Sequence, residues 1–278
     1  MRKNLKYWVL IAPALLIMIV FYIWPVINLF VISVQEPVAG LGNYLKIADS
    51  GPIKTSFLIT FRVAAETTFF CVFLGYIVSY GITHATDKIR PLMIVLVLLP
   101  FWVSVLIRSF SWIVLLGRSG VVNKMLLGSN FIDEPLKLMH NEFGVVLAMV
   151  HVMLPFAVLP MLTNMRGISR SYVDAARGLG ASQWIAFWKV YVPQTKPGIA
   201  SGALLVFVLS LGFYITPALL GGGRVMMISE YISYQIKEFL NWGLGTALSV
   251  SLIVAMGLIL VVSAKFVNLR STLLERKN

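Results

Sequence analysis

Residues Leu252–Val262 read "LIVAMGLILVV" and residues Leu92–Trp102 read "LMIVLVLLPFW". Neither alternates apolar with polar residues, as a barrel strand between lipid and a lumen would. A continuous apolar run in lipid must satisfy its own backbone hydrogen bonds, and within a single segment only a helix does so. Working outward from these two runs, six stretches reach the roughly 20 mainly apolar residues that cross about 30 Å of hydrocarbon. They lie near 8–34, 56–82, 91–116, 144–163, 199–220 and 246–267. The expected fold is therefore all-α, a polytopic membrane protein of six transmembrane helices. Composition agrees: 12% of residues are charged, where a soluble domain carries about a quarter.

Six crossings place both termini on one side, and the bases choose it. The N-terminus with Arg2, Lys3 and Lys6, the 83–90 loop, the 164–198 loop and the end from Lys265 onward hold 14 Lys/Arg and 3 acids. The three opposite segments, 35–55, 117–143 and 221–245, hold 7 of each. Such asymmetry marks a cytoplasmic face, so both termini are expected in the cytoplasm. The net charge of +12 then reads as topology and contact with anionic lipid, and nucleic acid is not an expected partner. The first run continues through "FYIWPVINLFVIS", longer than the core of a signal peptide, and is read as an uncleaved helix. Cys71, the one cysteine, permits no intrachain disulfide.

No low-complexity tract, linker or visible repeat divides the chain, and one transmembrane domain is expected over 1–278. Pro13, Pro25, Pro100, Pro155, Pro160 and Pro217 fall inside spans, where each removes a donor and tends to kink the helix. In the outer segments, a short amphipathic piece within 35–55, "VVNKMLLG" within 117–143 and "MISEYISYQIKEFL" within 221–245 read as surface helices.

The polar stretch Asp174–Gly198, "DAARGLGASQWIAFWKVYVPQTKPG", interrupts the second half. Ser171 and Asp174 have the spacing of a capping box. They would open a helix with Tyr172, Ala175, Ala176 and Leu179 on one side. Gly180 can leave that helix at positive φ. Ser182 can cap a second helix carrying Trp184, Phe187, Trp188 and Tyr191, which Pro193 and Pro197 would close. An interfacial pair with a snorkelling Lys189 accounts for the aromatics, but small residues on a polar helix suit close approach by another protein.

"DAARGLGASQWIAFWKVYVP" resembles the EAA motif of the permease subunits of ABC importers. Asp174, Ala175, Ala176, Gly180, Ala181, Phe187 and Pro193 match in order, with Asp174 where the family usually has Glu. "LLPFWVSVLIRSF" (98–110), "LPFAVLPM" (154–161) and "FYITPALLGGG" (213–223) look like the spermidine/putrescine branch. The resemblance implies a multi-pass permease of the bacterial inner membrane, with a cytoplasmic coupling-helix loop at about 166–197 seated on an ABC ATPase dimer. It also implies a second permease subunit, expected to be a different chain, and an extracytoplasmic substrate-binding protein. No G-x-x-x-x-G-K-[ST] occurs, since "GGGRVMM" lacks its lysine and spacing. No cofactor is therefore expected in this chain, ATP and Mg belonging to the ATPase.

Charges inside spans are costly and mark functional candidates. Arg62 and Glu66, four apart, would pair along one face, or Glu66 would attract an amine. Arg108 would snorkel outward or meet the partner subunit. Trp102, Phe213 and Tyr214 offer aromatic faces to a cation, and these join Glu66 and Arg108 as candidates for the translocation path. His84, His140 and His151 show no metal-ligand spacing. No catalytic motif appears either, so a transport subunit without its own enzymatic site is expected. The alternatives are an importer permease for another small solute (an amino-acid derivative, opine, phosphonate or iron), a stand-alone ion-coupled transporter, or a membrane scaffold.

Overall fold

The computed structural model describes residues 11–275, with side chains through Lys265. Arg2, Lys3, Lys6, Arg276, Lys277 and the expected start of the first span near residue 8 lie outside the described residues. All regular elements among the described residues are helical. They are α1 (Ile11–Gln35), α2 (Gly42–Asp49), α3 (Gly51–His84), α4 (Arg90–Trp102), α5 (Val105–Leu116), α6 (Val121–Gly128) and α7 (Glu142–Arg166). After them come α8 (Arg170–Gly178), α9 (Gln183–Leu211), α10 (Ile215–Leu220), α11 (Ile228–Lys237) and α12 (Trp242–Glu275). Among the described residues, six helical stretches are long and apolar enough to cross a membrane: α1, α3, α5 with α6, α7, α9, and α12 as far as Lys265.

Two compact units emerge from the contacts, one of residues Ser56–Glu230 and one of 11–55 with 231–275. In the first, α7 is the centre, with 14 of its 25 residues buried. Small residues let its neighbours approach. Cys71, Gly75 and Ser79, spaced by four along α3, face it: a Cβ on Gly75 would lie 3.2 Å from that of Ala157. Ser79 Oγ donates to the Val158 carbonyl at 3.1 Å, and Cys71 Sγ points at that of Val150. On the other side α9 presents Gly198 and Gly202, where a Cβ would come within 2.7 Å of Asn164 Cβ and 2.9 Å of the Ala157 carbonyl. Small residues four apart are the usual means of close helix contact in lipid, where van der Waals packing replaces the hydrophobic drive. In the second unit α1 packs along α12. Buried Asn43 of α2 donates to the Ser33 and Glu36 carbonyls at the end of α1, at 3.1 and 2.7 Å.

Two expected spans are not single helices. Residues 91–116 part at Val103–Ser104, where both residues turn extended between α4 and α5. Pro100 lacks the N–H that would hold the preceding turn, and no residue of α4 is fully buried. The expected span 199–220 instead starts upstream, at Gln183, and breaks at 212–214 before α10. Of the surface helices expected in the outer segments, α2 and α11 lie outside the six stretches, whereas α6 falls inside the one that runs Val105–Gly128.

Candidate functional site

Two features stand out in the Ser56–Glu230 unit: a helix pair beyond the C-terminal end of α7, and a polar centre where the broken helices meet. In the pair, α8 starts earlier than the capping-box reading expected. Its cap is Ser169, whose Oγ accepts from the Ser171 N–H at 3.3 Å, and Asp174 lies mid-helix. The end is as expected. The Leu179, Gly180 and Ala181 amides return to the carbonyls of Ala175, Arg177 and Ala176 at 3.0 Å each, with Gly180 at φ +91°. A side chain at that φ would be strained. Ser182 then caps α9, accepting from the Ile185 N–H at 3.3 Å.

Pro193 and Pro197 do not close the second helix. α9 runs through both, and ahead of Pro193 residues Phe187–Tyr191 form a π turn in which the Val192 N–H bonds Phe187 O. The wider turn gives room to the Lys189 carbonyl, which a proline ring at 193 would otherwise strike. In the same turn Phe187 and Tyr191 stack at 5.8 Å, and both meet the Tyr80 ring of α3 edge-on at 5.5 and 5.7 Å. An aromatic cluster thus ties the helix pair to a long span.

Among the charged and polar residues that the pair leaves uncovered runs an apolar strip. Tyr172, Ala175 and Leu179 form an exposed stripe along α8, and Leu179 is 91% exposed at its tip. Of the residues expected in the coupling loop, Asp174, Ala175, Gly180 and Pro193 are exposed, while Ala176, Ala181 and Phe187 are half-buried.

At the polar centre Ser109 of α5 and Thr216 of α10 share a hydrogen bond of 3.1 Å. One turn along, Trp112 donates to His151 Nδ1 of α7 at 3.3 Å. Arg108 neither snorkels nor pairs: it is 8% exposed, and its Nε and Nη1 are buried without a hydrogen-bond partner. Phe213 and Tyr214 lie in the break before α10, Phe213 packed on the core. Trp102, 75% exposed at the end of α4, stands apart. Glu66 is half-buried, but Arg62 does not pair with it. Its guanidinium forks onto both oxygens of Glu142, at the start of α7, at 2.5 Å. Thr216, His151 and Glu142 escaped the sequence reading, since their partners stand 39 to 107 residues away and no local spacing encodes them. The N-terminal end of α7 borders a cleft of about 640 Å³, whose lining includes Arg118, Lys137, His140 and Arg224 and no acid.

The Ser56–Glu230 unit thus holds candidate spans around a polar centre, with α8 outside them. Residues 72–277 match the family described as "Binding-protein-dependent transport system inner membrane component". The chain belongs to that family and is an importer permease subunit of the ABC class. Among its relatives, the spermidine/putrescine transport system permease protein PotB of Escherichia coli is 33% identical over 231 residues, 83% of each chain. The molybdenum transport system permease protein ModB of Mycobacterium bovis is 25% identical over 209 residues, 75% of this chain and 77% of that one. In fold, the chain matches the crystal structure of a bacterial ABC transporter involved in the import of the acidic polysaccharide alginate. The TM-score is 0.78 at 17% identity, over 95% of this chain and 96% of the other.

Proposed function

We propose that this permease, one transmembrane domain over 1–278 with both termini cytoplasmic, carries polyamines or a related small amine and has no enzymatic site of its own. The observation that carries the coupling half of this reading is the exposed apolar stripe of α8 with Leu179 at its tip, outside every span. A side chain so placed costs free energy until a partner covers it. That partner is a separate ABC ATPase dimer, which holds the ATP and Mg. Asp174, Ala175, Ala176, Gly180 and Ala181 shape the seat, and Phe187 and Pro193 tie it to the spans. Binding of ATP draws the ATPases together and moves α8; the aromatic cluster passes the motion to α3 and α9. The broken helices then exchange inward- and outward-facing arrangements. A partner shifts such an equilibrium only by binding the two states unequally.

Glu66, Phe213 and Tyr214 are the path candidates this reading keeps. A second permease chain, different from this one, completes the path, and a substrate-binding protein docks over the basic cleft at the other end of α7. The polyamine half rests on identity to the spermidine/putrescine permeases. One observation favours another solute: Arg108, a buried unpaired cation, repels a polyamine and suits a group of negative charge.

ATPase activity of the complex in lipid with its binding protein, across polyamines, amino acids and anions, tests both halves. Stimulation by amines alone supports the reading, and stimulation by anions alone moves Arg108 to the centre of the path. Leu179→Asp, which puts a charge into the seat, should abolish stimulated turnover while leaving the chain folded. Full stimulation in that variant would remove α8 as the coupling element.

A further inference from the structure

Beyond the C-terminal end of α7, two cavities share a wall formed by His84, Val173 and Tyr191. The first, about 530 Å³, is lined on its polar side by Arg90, Arg166, Arg170 and Asp174. The second, about 590 Å³, is mainly aromatic, with Tyr80, Trp184 and Phe187 on it and Arg177 and Gln183 as its polar residues. Their depth is fixed by the helices. His84 and Arg166 are the last residues of two candidate spans, so the polar cavity lies where helices leave the hydrocarbon, at the level of lipid headgroups.

Not all of these bases are free to act. Arg90 donates to Asp87 at 2.8 Å and to the carbonyls of Ala85 and Ile82 at 2.9 and 3.4 Å, closing the end of α3. Arg166 and Arg170 make no hydrogen bond or ion pair among the described residues. Two guanidinium groups facing one cavity at headgroup depth suit a phosphate oxygen geometry. Asp174, the one acid in the lining, works against a phosphate of two charges and tolerates the single charge of a phosphodiester.

We propose that the two cavities together seat one anionic phospholipid, its phosphodiester on Arg166 and Arg170 and its glycerol and upper acyl chain against Tyr80, Trp184 and Phe187. Free phosphate would fill the polar cavity but leave the aromatic one without an occupant. Basic pockets between helix ends are a known mode of headgroup recognition. Because Ser169, Arg170 and Val173 of the α8 segment form part of the wall, the lipid props α8 from behind. That consequence rests on the coupling role proposed for α8, whereas binding itself does not.

Native mass spectrometry of the full chain in detergent, titrated with phosphatidylglycerol or phosphatidylcholine, reads the binding without any ATPase. One phosphatidylglycerol should be retained in preference to phosphatidylcholine, and R166Q/R170Q should weaken it by about tenfold or more, as loss of two charge-assisted hydrogen bonds implies. R166K/R170K should recover most of the binding, and K88Q, at an exposed base lining neither cavity, should change nothing. Trp184→Ala should weaken it further if the acyl end is held. Equal retention of the two lipids, or a double Gln variant that binds as the wild type does, overturns the proposal. So does displacement by millimolar inorganic phosphate with no effect of Trp184→Ala, which assigns the site to free phosphate.

Discussion

Two proline-bearing spans meet opposite fates. α7 contains Pro155 and Pro160 and runs unbroken for 25 residues. The 90–116 stretch contains Pro100 alone after its first turn and parts three residues later. The proline chemistry is the same in both, so the difference lies in what surrounds them. α7 is enclosed by α3 and α9, and side chains of α3 reach its carbonyls at Val150 and Val158, on either side of Pro155. α4 has no fully buried residue. Met93, Ile94 and Val97 are half-buried against Val158 and Leu162 and Phe101 meets the Phe156 ring, but no side chain among the described residues donates to its carbonyls. A third outcome appears at Pro25 and Pro193, each two residues beyond a π turn, Ile19–Ile23 and Phe187–Tyr191. There the turn widens before the ring arrives and the helix continues. At these five prolines the helix continues where it is enclosed or where the turn widens, and it breaks after Pro100.

If enclosure is the cause, crowding it has the largest effect. Gly202→Leu places a side chain where the Ala157 carbonyl stands 2.9 Å from a Cβ, and neither backbone can yield cheaply. Overpacking of this kind costs about 1–3 kcal/mol, so the thermal midpoint of the chain in detergent should fall clearly. Gly257→Leu, at a glycine with nothing within 4 Å, is the control. Equal midpoints for the two variants would mean that the α7–α9 contact does not hold the unit.

The broken span offers a smaller effect on stability and a larger one on turnover. Pro100→Ala restores a donor for the Leu96 carbonyl, and one hydrogen bond is worth about 0.5–1.5 kcal/mol net. The midpoint should rise slightly or stay, while stimulated ATPase activity drops because α4 and α5 no longer part freely. Pro155→Ala inside the enclosed helix should leave turnover near that of the wild type. Equal turnover in the two variants would strip the break of any part in the cycle.

The sequence showed much of this and hid the rest for a physical reason. Span number, the helices of the outer segments, Gly180 at positive φ and the Ser182 cap were legible, because each depends on residues within about a turn of one another. Hidden were the breaks at Val103 and Gly212, the Arg62–Glu142 fork and the Ser109–Thr216 bond. Arg62 has an acid four residues away, yet it chooses one 80 residues on, because α7 brings Glu142 to it in space. Pro193 looked like a stop because nothing in its spelling announces a π turn.

Enclosure that straightens an apolar helix penalises a charge, and Glu142 and Glu230 divide on that point. Glu142 spends both oxygens on Arg62. Glu230, on α11 and outside the six spans, has its Oε2 buried without a hydrogen-bond partner. Burial pushes its carboxyl up from the ordinary 4.5 to about 7, so the folded chain holds this proton more tightly than the unfolded one does. The stability it contributes is complete below about pH 4.5 and fades as the pH rises through about 7. Glu230→Gln keeps the neutral form at every pH and should flatten that slope. The fall in thermal midpoint between pH 5 and pH 8 should shrink relative to the wild type, by less than Gly202→Leu costs. If the variant loses as much as the wild type over that range, the titrating group lies elsewhere, and Glu230 keeps its charge in the fold.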